Sequence, residues 1–236
     1  MKKLIATLAI AAGAIASSQA QGFITFASGG QTIFTNSSPG GVTNGVMSAT
    51  TGTPTYYFAL FYSASATTVN GSAAAVMPTG GSAGNYVFND GAWTFDNPSS
   101  TAGYLGPAYA TNNLTAGRFT SAVTDPANSS QTLLPFTTAA QFVVLGWSAN
   151  IGTTLAQVIS WYNGGNPLTA GWIGESAVSG AITPSAGGVT PAQSLFGPAA
   201  PQLQRFSLGL VPTPEPSTMA LAGLGGLSLL LFRRRK

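Results

Sequence analysis

The stretch FNDGAWTFDN holds two carboxylates, Asp90 and Asp96, six residues apart. Two carboxyl groups flanking one bond are the equipment of a glycosidase. With Asn89 and Asn97 beside them they also offer hard oxygen ligands, which makes Asp90 and Asp96 weak candidates for calcium. Neither chemistry fits well. The spacing does not match an EF-hand loop, and calcium ordinarily takes more ligands than two carboxylates and two amides. Each Asp stands beside Asn, Gly or Pro, where its side chain caps a turn. Turn chemistry accounts for both positions, so the expectation is no catalytic residue, no metal and no cofactor.

The remaining chemistry of the chain is narrow. Residues 21–210 contain no His, no Cys and no Lys. That excludes a Ser-His-Asp triad, a Cys-His pair and a Ser-Lys dyad there, and with them zinc or copper sites built on imidazole or thiolate. No phosphate-binding glycine pattern occurs. The expectation is a protein that is not an enzyme. Four tryptophans, Trp93, Trp147, Trp161 and Trp172, could stack on sugars if they shared an exposed face, which makes a carbohydrate-binding module the alternative. Each lies in an apolar context, however, where Trp is an ordinary core filler.

Charge points the same way. Residues 21–210 carry Arg118 and Arg205 against Asp90, Asp96, Asp125 and Glu175, a balance of 2 − 4 = −2. The basic balance of the whole chain, +3, comes from its two ends. A nucleic-acid partner needs a basic stripe to neutralise phosphates, and the body has none.

The elements that must position these residues read as strands, rich in β-branched and aromatic side chains and bounded by Gly, Asn, Ser or Pro. They are 22–27 (GFITFA), 31–35 (QTIFT), 55–62 (TYYFALFY), 85–88, 92–95, 118–123, 141–148 (QFVVLGWS) and 203–210. In 55–62, Tyr56, Phe58, Leu60 and Tyr62 face one side and Tyr57, Ala59 and Phe61 the other, so both faces are apolar. Asn89-Asp90-Gly91 between 85–88 and 92–95 reads as a hairpin. One helix is credible, in GTTLAQVISWYNGG: Leu155, Val158, Ile159 and Tyr162 recur at helical spacing, with Thr at the start and Gly164 at the end. It is expected on a sheet edge. The stretches 63–84 and 179–200 read as long irregular excursions. The fold class is mainly β, an antiparallel β-sandwich of jelly-roll kind with one short helix.

Both ends carry addresses. MKKLIATLAIAAGAIASSQA has a basic pair, an apolar run and small residues before a cut between Ala20 and Gln21, the form of a signal peptide read by signal peptidase. The division is then 1–20 signal, 21–210 exported β-rich domain, 211–218 Pro-rich processing linker, and 219–236 apolar helix with a basic end. The apolar run 217–232 spans about 24 Å as a helix against roughly 30 Å of hydrocarbon. Its six Leu and Phe232 favour insertion by roughly 3 kcal/mol, while Gly223, Gly225 and Gly226 weaken it. Arg233, Arg234, Arg235 and Lys236 set a cytoplasmic C-terminus. Pro212, Pro214 and Pro216 keep the preceding segment extended and open to a processing enzyme.

The order Pro214-Glu215-Pro216, short apolar helix, terminal Arg cluster resembles the PEP-CTERM sorting signal of Gram-negative bacteria. The resemblance covers about 25 residues and all three parts of the signal. It implies an exosortase as partner, a transient inner-membrane anchor, removal of the tail, and a body delivered to the cell surface or exterior. It also implies the setting in which such proteins occur, exopolysaccharide and biofilm. The body is more loosely similar to exported domains that accompany this tail, through QGFITFASGG, TYYFALFY and GWSANIGTTLAQV. That likeness carries no activity. The expectation is a non-enzymatic surface or extracellular-matrix protein, with exopolysaccharide as the candidate ligand of the alternative.

Overall fold

The computed structural model describes residues 21–36, 44–76, 85–97, 109–121, 124–125, 128–129, 131–164, 169–186 and 192–211. Alternating apolar side chains and Gly, Asn and Ser punctuation divide these into short strands. They are β1 (Gly22–Thr25), β2 (Phe34–Asn36), β3 (Asn44–Val46), β4 (Tyr56–Ser63), β5 (Thr94–Phe95), β6 (Ala110–Asn112), β7 (Phe119–Ser121) and β8 (Thr124–Asp125). There follow β9 (Asn128–Ser129), β10 (Gln131–Leu134), β11 (Gln141–Ser148), β12 (Gly171–Glu175), β13 (Ser185–Ala186), β14 (Gln193–Ser194) and β15 (Ser207–Val211). The helix is α1 (Leu155–Asn163). The chain is thus mainly β with one α-helix among the described residues.

The large sheet runs β3-β2-β15-β12-β11-β4-β6-β7, with β5 also on β4. Its axis is the β4–β11 pair, antiparallel from Gln141↔Ser63 to Ser148↔Tyr56. A smaller sheet places β1 between β10 and β13, with β14 also on β1, and β8 pairs with β9. The expected all-antiparallel arrangement is corrected at two places: β15 runs parallel to β2, and β1 runs parallel to β14. Both sheets are therefore mixed.

The two-faced reading of TYYFALFY holds. Tyr56, Phe58 and Leu60, with Tyr62 beside them, enter one apolar cluster with Phe142 and Val144 of β11, Leu208 of β15, and Ile24 and Leu134 of the small sheet. Ala59 and Phe61, with Tyr57, enter a second cluster with Val143, Leu145, Trp147 and Ile173. The second cluster also takes Leu155 and Val158 of α1, so the helix packs on a sheet face and not on an edge. A face offers its two buried residues far more apolar area than an edge would. The helix starts as its sequence indicates: the Thr154 side chain accepts from the Gln157 amide, and the Gln157 side chain caps the Thr154 N–H in return.

Close backbone approach fixes two glycines. A Cβ on Gly174 would lie 2.3 Å from the Ser207 carbonyl oxygen of neighbouring β15. A Cβ on Gly146 would meet the Phe58 ring at 2.7 Å, the ring that stacks on Phe119 at a 4.1 Å centroid distance.

Several expected elements shift. Segment 85–88 is not a strand: Val87–Asn89 form a 3-10 turn, and β5 pairs with β4, so no hairpin joins 85–88 to 92–95. The reason lies in partners distant in sequence, since Val87 donates to Glu175 and Tyr86 is wholly buried. The excursion at 179–200 contributes β13 and β14 to the small sheet. Strands β3, β6, β8, β9, β10 and β12 also lie outside the set expected from patterning.

Candidate functional site

Three carboxyl groups have different fates, set by the elements that carry them. Asp90 follows the 3-10 turn. Its Oδ2 accepts from the Asn70 amide at 2.7 Å and its Oδ1 from the Ala92 amide at 3.0 Å. Asn70 sits in the left-handed region at φ 47° before Gly71 at φ 85°, and its own amide donates to the Asn85 carbonyl at 3.0 Å. Asp90 therefore locks one turn onto another, as turn chemistry anticipates.

Asp96 is not an exposed turn cap. It is 4% exposed and accepts from the Thr132 hydroxyl of β10 at 2.9 Å. Burial pushes its carboxyl up to about 7, partly opposed by the Thr132 hydrogen bond. Such a group is only partly ionised in a neutral solution, and its burial makes it a poor cation ligand. Asp90 and Asp96 share no hydrogen-bond partner among the described residues. Among the described residues no three acidic, His or Cys side chains gather as a metal-ligand set.

Sequence reasoning missed Glu175. It ends β12 at 1% exposure, and its Oε2 accepts from the Val87 amide at 2.6 Å. Its Oε1 is buried with no hydrogen-bond partner among the described residues. Burial pushes the carboxyl up to about 8; the Val87 N–H opposes this and the nearby charge of Asp90 adds to it. Its backbone is fixed as well, exchanging two hydrogen bonds with Val76 at 2.7 and 3.0 Å. One signal was legible: a single Glu inside the apolar run GWIGESAV, where a solvated side chain is out of pattern.

The tryptophans separate equally clearly. Trp147 is fully buried and Trp93 is 7% exposed. Three indole N–H groups donate to backbone carbonyls: Trp93 to Thr68, Trp147 to Gly152 and Trp161 to Thr169. Trp172 is half-buried, and its indole N–H has no hydrogen-bond partner among the described residues. The four tryptophans do not form a common face.

Trp172 instead lines an open groove of about 370 Å³ with Ser48, Thr55, Tyr56, Ser148 and Asn150. The groove lies where β4 begins, β11 ends and β12 begins. Behind it, buried Asn112 of β6 makes four hydrogen bonds. Its Oδ1 accepts from the Thr55 and Tyr56 amides at 3.0 and 3.1 Å. Its Nδ2 donates to the Ser48 carbonyl at 3.0 Å and the Thr55 hydroxyl at 2.8 Å. The Trp172 amide donates to Ser148 Oγ at 2.9 Å, and Asn150 is tied to the Ala170 carbonyl.

The sorting residues Pro214, Glu215, Pro216, Arg233, Arg234, Arg235 and Lys236 lie outside the described residues, as does Ala20; Gln21 is the first residue described. No helix among the described residues is long and apolar enough to cross a membrane. A family model, the PEP-CTERM protein-sorting motif, matches residues 212–236. The chain therefore carries that motif, which marks an exported protein sorted through a C-terminal membrane anchor with an exosortase as its processing partner. No curated protein and no solved structure matches the chain.

Proposed function

We propose that the body, residues 21–210, is a non-enzymatic exported module, sandwich-like in its packing, that becomes a surface or extracellular-matrix component of a Gram-negative bacterium. Signal peptidase cuts between Ala20 and Gln21, the tail lodges in the inner membrane with Arg233 to Lys236 inward, and the exosortase acts at Pro214-Glu215-Pro216. The sorting motif is the observation that carries this reading. The body's chemistry supports it: it has no His, Cys or Lys, and of its four carboxyl groups Asp96 and Glu175 are buried and Asp90 is spent on a turn, which leaves Asp125 of the two-residue strand β8.

The test is intact-mass analysis of the protein from its native host, with and without the exosortase. Ends at Gln21 and near Pro214 are expected in the surface form. A surface form that still carries Lys236 overturns the reading. A second reading, carbohydrate binding, is favoured by one observation, the exposed part of Trp172 beside a hydroxyl-lined groove.

A further inference from the structure

The groove at Trp172 departs from the use this chain makes of its other aromatics. Trp93, Trp147 and Trp161 all spend their indole N–H on the fold, whereas Trp172, which lines the groove, has no indole partner among the described residues. The ring is held in place. Its backbone is pinned by Ser148 and by strand pairing of Trp172 with Leu210, and its inner part packs on the large apolar cluster. A ring fixed before a ligand arrives loses little freedom on binding.

The surroundings define what the ring would meet. Ser48, Thr55, Ser148 and Asn150 bring hydroxyl and amide groups, and no groove residue carries a formal charge. Buried Asn112 fixes the loop side by holding the Ser48 carbonyl and the Thr55 hydroxyl. An aromatic face flanked by uncharged donors and acceptors suits a ligand with one C–H face and a rim of hydroxyls. It gives nothing to a phosphate, carboxylate or ammonium that must be stripped of water. At about 370 Å³ the groove stands at the small end of the roughly 300–1,000 Å³ range of ligand clefts.

We propose that this groove binds a neutral pyranoside, one or two sugar units of an uncharged glycan, with the Trp172 ring as platform and its indole N–H donating to a sugar hydroxyl. The inference deepens the carbohydrate-binding reading above by naming its site and ligand class. The other wall is fixed by Tyr56, whose hydroxyl hydrogen-bonds Ser48. A small open site of this kind binds weakly, with a roughly millimolar Kd.

The experiment uses the full chain in a non-ionic detergent without a sugar headgroup. Its four indole N–H resonances are followed by two-dimensional NMR during titration with cellohexaose, laminarihexaose, mannohexaose and, as the anionic comparison, hexagalacturonate. The expected result is a saturable shift of the Trp172 indole with at least one neutral glycan, little with hexagalacturonate, and no movement of the Trp93 or Trp147 resonances. Trp172→Phe keeps a ring and loses the N–H, so affinity falls several-fold; Trp172→Ala loses it by at least about tenfold. If Trp172→Ala fails to fold, the wild-type titration and Trp172→Phe still decide. A Trp172 resonance that stays still up to about 20 mM of every neutral glycan overturns the proposal. So does saturable binding that moves only Trp161, or that Trp172→Phe leaves unchanged. Surface delivery is read separately, by mass in the native host. A lost tail with a silent groove removes only this proposal, and an intact tail with a responsive groove removes only the sorting account.

Discussion

Replacing Glu175 by Gln should invert the usual effect of altering a buried residue: above neutral pH it should stabilise the protein. Glu175 is 1% exposed, with Oε2 on the Val87 N–H and Oε1 buried without a partner among the described residues. The folded carboxyl loses its proton only at about 8, against 4.5 for an ordinary glutamate. Between these values the folded chain binds more protons than the unfolded one, so stability falls as pH rises from about 4.5 and levels off above about 8. At about 1.36 kcal/mol per pH unit the full rise amounts to about 5 kcal/mol. That is an upper bound, because an ionised carboxyl opens its surroundings to water before it endures complete desolvation. About half of it, roughly 2–3 kcal/mol, should be recovered at pH 8.5 by Glu175→Gln, whose amide oxygen still accepts from Val87. For a body of this size that is a rise in Tm of roughly 5–10 °C. Below about pH 4.5 the two proteins should melt within about 1 kcal/mol of each other, since both side chains are then neutral. The assay is thermal unfolding of full chains from pH 4 to 9, followed by circular dichroism. Asp96 titrates in both proteins, so the difference between the curves isolates Glu175. Two parallel curves, or a parent that gains stability toward pH 8, would refute the reasoning.

Asp96→Asn should act likewise in a lower window: the parent loses stability between about 3.8 and 7, and the variant should be flatter there in the same melts. Asn112→Ala leaves two amides and the Ser48 carbonyl without their partner, so a loss of about 2–4 kcal/mol in denaturant unfolding is expected; a loss under about 0.5 would mean that the Asn112 hydrogen bonds do not hold the fold. Gly174→Ala drives a methyl to 2.3 Å from the Ser207 carbonyl and should cost about 1–3 kcal/mol in the same assay, whereas Gly91→Ala, with open space around it, should cost little. Replacing Pro214, Glu215 and Pro216 together by Ala should leave the tail on the protein, seen as an uncut mass from the native host.

The strands legible in the sequence are those whose identity is local. TYYFALFY and QFVVLGWS are apolar on both faces and pair along their whole length at the centre of the large sheet. The helix is equally plain, because spacing, Thr154 and Gly164 agree over one short segment. What failed depended on partners far away. Asn85 to Phe88 has strand composition, yet Glu175, eighty-eight residues from Val87, bends it into a 3-10 turn. Strands β13 and β14 are two residues each and exist only because β1 is there to pair with them. The groove was illegible for the same reason: Ser48, Tyr56, Ser148 and Trp172 come from four separate stretches that meet only when β4, β11 and β12 align.

The architecture of the body also bears on how the tail can work. A chain threaded through a membrane stops where a long apolar segment lets it, and about 18–20 apolar residues are the ordinary requirement. A body built on helices buried all round would present such segments. Here the core is assembled from strands of at most eight residues, Tyr56–Ser63 and Gln141–Ser148, each closed by a serine. Even these two are separated by 77 residues of sequence and become one apolar wall only after pairing. The body offers no 16-residue stretch with the six leucines of 217–232, and even that run is marginal for insertion by its length and its three glycines. The mainly β body spreads its apolar residues along the sequence and gathers them only on folding, whereas the sorting tail concentrates its leucines in one short segment.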